Sequence, residues 1–359
     1  MKKVLTLTLF LGLFLLLAAC GNSDEESEQE SDNSSSSESE ETSSSEEESG
    51  GEINLYTGRH YETDQELYDQ FTEETGIEVN VIEGKDDELI ARLDREGQAS
   101  EADLLMTADA GRLERAKSQD LLQPIESETV EANVPEKFID SDKNWTGLTK
   151  RARVIAYHKD RVDPSSIETY ADLTNEEWED KVLIRSSSNI YNQSLLASMI
   201  ALEGEEKAKE WAQGIVDNMA REPQGGDRDQ AKAIAAGEGD VAVMNTYYMG
   251  KMLNSEDQEE VDVANQLGII FPNQDSTGAH VNISGIGLTG SSNNTDNAVQ
   301  FIEYLTTEEA QSQFAEANYE YPVNPDVEAA ETLQEWGEFK EQDLLSRNSE
   351  KIISALLKS

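Results

Sequence analysis

One cysteine, three histidines and seven prolines are all that 359 residues contain of these types. A lone cysteine excludes an intramolecular disulfide framework and any cysteine-based metal cluster. Of the three histidines, His158 and His280 sit in apolar-flanked stretches that suit a structural role, which leaves too few for a zinc site built on imidazoles. Positive charge is scarce as well, with 28 Lys+Arg against 75 Asp+Glu and a formal net charge of −47. A polyanion would meet a repelling surface with no basic block to offset it, so nucleic acid is excluded as a partner. Neither Gly-x-Ser-x-Gly nor His-Glu-x-x-His occurs, which removes the commonest signatures of a secreted hydrolase. The uncharged run from Val4 to Ala19 is too short to span a bilayer comfortably.

That run has another use. It follows Lys2-Lys3 and ends Leu17-Ala18-Ala19-Cys20-Gly21, which resembles a bacterial lipoprotein signal: small residues before the cut, and a cysteine whose sulfur receives the lipid. A signal peptide over 1–19, export, and a membrane anchor on Cys20 are expected. Residues 22–51 then hold twelve Ser and twelve Asp+Glu with no Lys, Arg or aromatic residue. Such a segment has nothing to collapse around, so 20–51 reads as a disordered acidic tether.

The remaining body, 52–359, carries 63 acidic against 26 basic residues, a net of −37. The acidic residues are spread along the whole chain instead of clustering in a few loops. Their mutual repulsion is relieved by screening, and a salt-rich habitat is the simplest reading.

Strand and helix patterns alternate. Ile53 and Leu55 mark a short strand, and a break follows at Thr57–Tyr61. The Thr63/Glu66 spacing predicts a capping box, Leu67 and Phe71 lie one helical turn apart, and Gly76 supplies a stop. Val79 and Val81 begin a second strand, giving a βαβ unit with parallel strands. The same grammar recurs at Val182–Ile184 followed by Arg185–Asn192 and a helix from Leu195, and at Val241–Met244 followed by Asn245–Gly250. Ser186-Ser187-Ser188 reads as a loop offering backbone and hydroxyl groups to a helix start. One helix is expected from about Asp296 to Ala317, and 328–358 is expected to cover the body.

Each of the three breaks carries tyrosine: Tyr61, Tyr191, and the pair Tyr247-Tyr248. In α/β sheets, side chains converge beyond the carboxyl ends of strands, where helix N-termini also point. Phenolate oxygen is a hard anionic donor that suits a hard, highly charged cation, and ferric iron is the natural candidate. A phenol near pKa 10 yields its proton only to a strongly Lewis-acidic ion. Calcium or magnesium would instead want carboxylates, and no Asp-x-Asp-x-Asp loop with a terminal glutamate occurs.

Five motifs, Leu55-Tyr56-Thr57-Gly58-Arg59-His60-Tyr61, Lys150-Arg151-Ala152-Arg153-Val154-Ile155, Arg185 to Ser194, Arg221-Glu222-Pro223-Gln224-Gly225 and Asn245 to Gly250, together resemble the ferric-iron-binding proteins of bacterial ABC importers. The similarity runs from about residue 52 to Tyr319-Glu320-Tyr321-Pro322-Val323 and is closest to the Fut-type branch. The resemblance implies a two-lobed, type II periplasmic-binding-protein-like α/β fold. Each lobe would be a mostly parallel sheet flanked by helices, with crossover strands joining the two. Lobe 1 would take 52–148 plus about 280–318 and lobe 2 would take 149–279 plus about 319–359, with Arg153–Tyr157 and His280–Leu288 as candidate crossings. It places the Fe(III) ligands on His60, Tyr61, Tyr191, Tyr247 and Tyr248. The related Fbp-type branch has a glutamate after the Thr of the segment matching Asp103–Thr107; here Ala108 stands there, which puts a carboxylate ligand from that loop in doubt.

Four phenolates around a trivalent ion total −1, so a counter-charge is expected. Arg59, Arg185 and Arg221 lie in or beside the motifs and are candidates to stand behind the ligands or to hold a small synergistic anion such as carbonate. The expected partners are importer permease and ATPase subunits and the membrane through Cys20, with the chain itself a monomer and no enzyme. An alternative is a receptor for an organic cation such as a polyamine. That site would favour tryptophan, whereas Trp145, Trp178, Trp211 and Trp336 all lie outside the tyrosine breaks.

Overall fold

The computed structural model describes residues 50–59 and 61–342. The expected signal peptide over 1–19, Cys20, most of the expected tether, His60 and residues 343–359 lie outside the described residues.

The first unit forms as its alternation dictates. β1 (Glu52–Thr57) buries Ile53 and Leu55 and pairs in parallel with β2 (Glu78–Glu83), Ile53 opposite Val79 and Leu55 opposite Val81. Between them α1 (Glu62–Thr75) buries Leu67, Tyr68 and Phe71 on one stripe. Each such side chain contributes about 1.5–3 kcal/mol on leaving water. Gly76 ends the helix at φ 71°, its N–H donating to the Thr72 carbonyl. The start differs from the expected capping box. Tyr61 is the N-cap residue and no side chain caps it. Thr63 lies inside the first turn, where its hydroxyl donates to Asn318 Oδ1 at 3.0 Å. Asp64 is ion-paired to Arg59 at 2.7 Å, and that pair ties the loop to the first turn before Thr63 is reached.

The chain continues through α2 (Asp86–Glu96), β3 (Leu104–Thr107), α3 (Ala110–Ser118), β4 (Leu122–Gln123), α4 (Glu128–Asn133) and the long β5 (Trp145–His158). Next come β6 (Val182–Leu183), α5 (Ile190–Glu203), α6 (Glu205–Asp217), α7 (Asp227–Ala236), β7 (Val241–Asn245), α8 (Thr246–Leu253), α9 (Gln258–Asn265) and β8 (Leu267–Ile270). Then β9 (Val281–Thr289), α10 (Thr295–Leu305), α11 (Glu308–Asn318), β10 (Tyr321–Pro322) and α12 (Glu331–Gln334) follow.

The strands run in the order β2-β1-β3-β9-β5-β7-β6, with β4 on β9 and with β8 and β10 on β5. The sheet is mixed where a mostly parallel one was expected. β1 pairs in parallel with β2 and β3, and β6 with β7. Every pairing of β5 and of β9 is antiparallel. The reason is connectivity. A helix between neighbouring strands returns the chain to run the same way, whereas β5 and β9 are long returns against their neighbours. β5 faces β9 over Trp145–Ala152 and β7 over Arg153–Tyr157, so one strand passes from one set of partners to another.

The single helix expected over 296–317 is two. α10 buries Ala298, Phe301, Ile302 and Leu305, with Val299 only partly covered. Thr307 then caps α11 by accepting the Ala310 N–H. A threonine followed by two glutamates is a helix start, and it wins over continuation of the stripe. Of the stretch expected to cover the body, α12 anchors through the buried Leu333.

Candidate metal centre

All four tyrosines sit where helices begin. Tyr61 is the N-cap residue of α1, Tyr191 the second residue of α5, and Tyr247 and Tyr248 the second and third of α8. Asn189 starts α5 by accepting the Tyr191 N–H at 3.1 Å, so the cap is this asparagine and not the preceding serines. Ahead of α8, the Asn245 N–H donates to Asp227 Oδ2 at 2.8 Å. These local fixings aim rings from three distant stretches of chain at one place.

The rings of Tyr61 and Tyr247 meet edge-on with centroids 6.1 Å apart, and Tyr247 lies 4.0 Å from Tyr248. Tyr191 completes the group electrostatically. Burial, then Tyr191 and Glu320, push the Tyr61 phenol well above the usual range. Burial, then Tyr191, Tyr61 and Tyr248, do the same to Tyr247, and burial followed by Tyr191 raises Tyr248. Phenolates so placed repel one another, and a cation among them removes that repulsion.

Beneath the rings lies a buried charge network. Arg59 holds Asp64 at 2.7 Å and Glu320 at 3.0 Å and donates to Ser284 at 2.8 Å, its guanidinium carbon 4.7 Å from the centre of the Tyr61 ring. Arg151 holds the other Glu320 oxygen at 3.0 Å and donates to the Ala108 carbonyl. It lies 5.3 Å from the Tyr191 ring centre and 5.8 Å from that of Tyr247. A second network joins Arg153 to Asp227 at 2.6 Å, and Arg185 to the other Asp227 oxygen at 3.3 Å. Arg185 also feels the Tyr248 phenol.

Of the three arginines expected near the ligands, Arg59 and Arg185 are brought to the tyrosines. Arg221 is not: it pairs with Glu238 at 2.9 Å and donates to Gln230 at 3.2 Å. Arg151, Arg153, Glu320, Asp227 and Lys251 were not singled out in advance. Lys251 places its ammonium 4.3 Å from the Tyr61 ring centre and 5.8 Å from that of Tyr247, donating to Asn318 at 3.0 Å, and burial lowers its pKa. Its position four residues after Tyr247 on a helix was the available signal. Gly250, on the same helix, packs so closely that a Cβ there would stand 2.7 Å from the Tyr319 Cβ.

His158 and His280 are buried, and His280 meets Gln342 at 3.1 Å with its pKa pushed down to about 4 by burial. Trp145 donates to Glu114 and Trp211 to the Tyr170 carbonyl, well apart in sequence from the tyrosine turns. Among the described residues no group of three His, Cys, Asp or Glu side chains is placed to hold a metal.

A family model described as bacterial extracellular solute-binding protein matches residues 100–343. Iron uptake protein A1 of Synechocystis sp. is 51% identical over 289 residues, covering 80% of each chain. A Trichodesmium FutA structure in complex with iron and citrate ligands is 48% identical with a TM-score of 0.80, covering 86% of this chain and 96% of that one. The ferric binding protein from Campylobacter jejuni is 45% identical with a TM-score of 0.81, covering 85% of this chain and 97% of that one. The chain belongs to the bacterial extracellular solute-binding proteins and, among them, to the Fut-type ferric-binding group. Its fold is periplasmic-binding-protein-like.

Proposed function

We propose that this chain captures ferric iron outside the cytoplasm and delivers it to the permease and ATPase subunits of an ABC importer. The observation that carries this reading is the convergence of Tyr61, Tyr191, Tyr247 and Tyr248 over two guanidinium networks. In this reading the four phenols and His60 are the ligands. Each phenol gives up its proton as the metal arrives, so affinity falls steeply with acid. Arg185, partly open to solvent beside Tyr248, offsets the net −1 of the loaded site and is the natural place for a small anion such as carbonate.

An organic cation fits poorly. Lys251 already lays an ammonium on the faces of Tyr61 and Tyr247, and Arg59 and Arg151 stand behind them, so an amine would meet like charge. We assign no enzymatic role. Two lobes, 52–148 with about 280–318 and 149–279 with about 319–359, close over the ion. The monomeric chain is anchored through a lipidated Cys20 with 22–51 as its tether, and the net charge of −37 on 52–359 suits a salt-rich exterior.

The deciding experiment loads pure protein with ferric iron. Phenolate-to-Fe(III) charge transfer gives a visible band at one iron per chain, and Tyr247→Phe weakens binding strongly while leaving the fold intact. A colourless stoichiometric complex overturns the tyrosine ligands.

A further inference from the structure

Lys251 follows Tyr247 by four residues and Tyr248 by three on α8, so the helix sets it beside both. Its ammonium stands 4.3 Å from the Tyr61 ring centre and 5.8 Å from that of Tyr247. Other partly covered lysines of this acidic chain go to carboxylates: Lys117 holds Asp140 at 2.6 Å, and Lys150 holds Glu341 at 2.5 Å. Lys251 makes no ion pair among the described residues, and donates instead to the amide oxygen of Asn318 at 3.0 Å. That asparagine, the last residue of α11, is itself fixed. Its oxygen also accepts from Thr63 at 3.0 Å, and its Nδ2 donates to Asp64 at 3.1 Å. A neutral acceptor orients the ammonium without cancelling its charge. The nearby carboxylates are engaged elsewhere, Asp64 with Arg59 and Glu320 with Arg59 and Arg151. Arg59 also faces the Tyr61 ring, at 4.7 Å, but its charge is matched by those carboxylates. Lys251 is thus the cation on Tyr61 that has no paired carboxylate.

We propose that Lys251 is a positioning residue of the iron site: its ammonium braces the Tyr61 ring of α1 against the Tyr247 ring of α8, and its charge favours both rings in the anionic form that holds the metal. The inference deepens the ferric reading above and rests on it. A ring face attracts a cation, and the attraction grows when the ring carries phenolate charge. The ammonium therefore favours the loaded site over the empty one without touching the iron.

Three variants separate charge from packing. Lys251→Met keeps the length of the stem, Lys251→Gln keeps an N–H for Asn318, and Lys251→Arg keeps the charge. Each is titrated with ferric iron in competition with citrate, followed by visible absorbance, and the melting temperatures of the metal-free proteins are compared. Both neutral variants are expected to lose affinity by about tenfold. Their charge-transfer band is expected at longer wavelength, because a ring with no cation beside it gives up an electron to iron more readily. Lys251→Arg is expected to keep the wild-type band and most of the affinity, and the metal-free melting temperatures are expected to stay close together. Neutral variants that bind within about twofold of wild type with an unmoved band overturn the assignment. So does an arginine variant whose band and affinity match the neutral ones, and so does weaker binding with an unmoved band and a lower metal-free melting temperature, which marks a merely structural contact. In all three cases a coloured wild-type complex leaves the ferric reading standing. A colourless wild type overturns that reading and this one together.

Discussion

Two carboxylates each bridge two arginines beneath the tyrosines, and they are not equivalent. Glu320 joins Arg59 and Arg151, with Asp64 adding a second carboxylate, so two positive charges meet two negative ones. Asp227 joins Arg153 and Arg185 alone, so one positive charge is left over. Exposure divides them too: the Arg59 side chain is 1% exposed and that of Arg185 is 18%. A sealed neutral network is a device for holding strands and loops in register, here Thr149 of β5 and Ser284 of β9 against the Tyr61 loop. A network with surplus charge and an open edge is a device for meeting an anion, whether phenolate or small solute.

The largest expected effect breaks the sealed network. Glu320→Ala leaves two buried guanidiniums facing each other and is expected to cost about 3–5 kcal/mol, read by chemical denaturation. Asp227→Ala is expected to cost less, because Arg185 turns to solvent. It also removes the acceptor for the Asn245 N–H and so disturbs Tyr247 and Tyr248. Arg185→Gln sharpens the contrast: iron affinity falls by about tenfold, while the metal-free melting temperature barely moves. Arg221→Ala, whose guanidinium pairs with Glu238 and not with Asp227 or Glu320, is expected to change neither. Equal loss of iron affinity in the Arg185 and Arg221 variants would erase the distinction drawn here.

Acid separates them further. Burial pushes the Glu320 carboxyl up, but Arg59 and Arg151 overcome it and hold its pKa below the usual value. The unfolded chain therefore takes up a proton first, at about pH 4.3. The stability from Glu320 is full above that pH and is lost as pH falls through the lower folded value. Asp86 behaves oppositely. Burial, then Asp109, push it up to about 7, so its folded form binds a proton that the unfolded chain sheds near pH 4. Stability should decline as pH rises from about 4 to about 7, and Asp86→Asn should flatten that decline. Melting curves from about pH 3 to about pH 7 test both signs.

Much of this was legible in the chain itself. The βαβ start, the Gly76 stop and the gathering of tyrosines at helix starts follow from spacing and local chemistry. Glu320 was not legible, because its role exists only once residues 261 positions apart, Arg59 and Glu320, are brought together. Arg151 stood inside a recognised motif, but nothing local says that a strand residue reaches under two rings. The break between α10 and α11 is readable in Thr307-Glu308-Glu309, since the apolar stripe of Val299, Ile302 and Leu305 ends before it. His60 falls outside the described residues, so its place rests on the resemblance alone.

Gly250 sets a spacing that helix chemistry alone would not choose. Alanine in a helix interior is ordinarily favoured over glycine by about 1 kcal/mol. At this position the added methyl would stand 2.7 Å from the Tyr319 Cβ, one residue before Glu320. Local preference and long-range fit therefore pull in opposite directions, and α8 gives up intrinsic helix strength to stay close to the Glu320 segment. A missing atom thus keeps α8 against the segment that leads into Glu320.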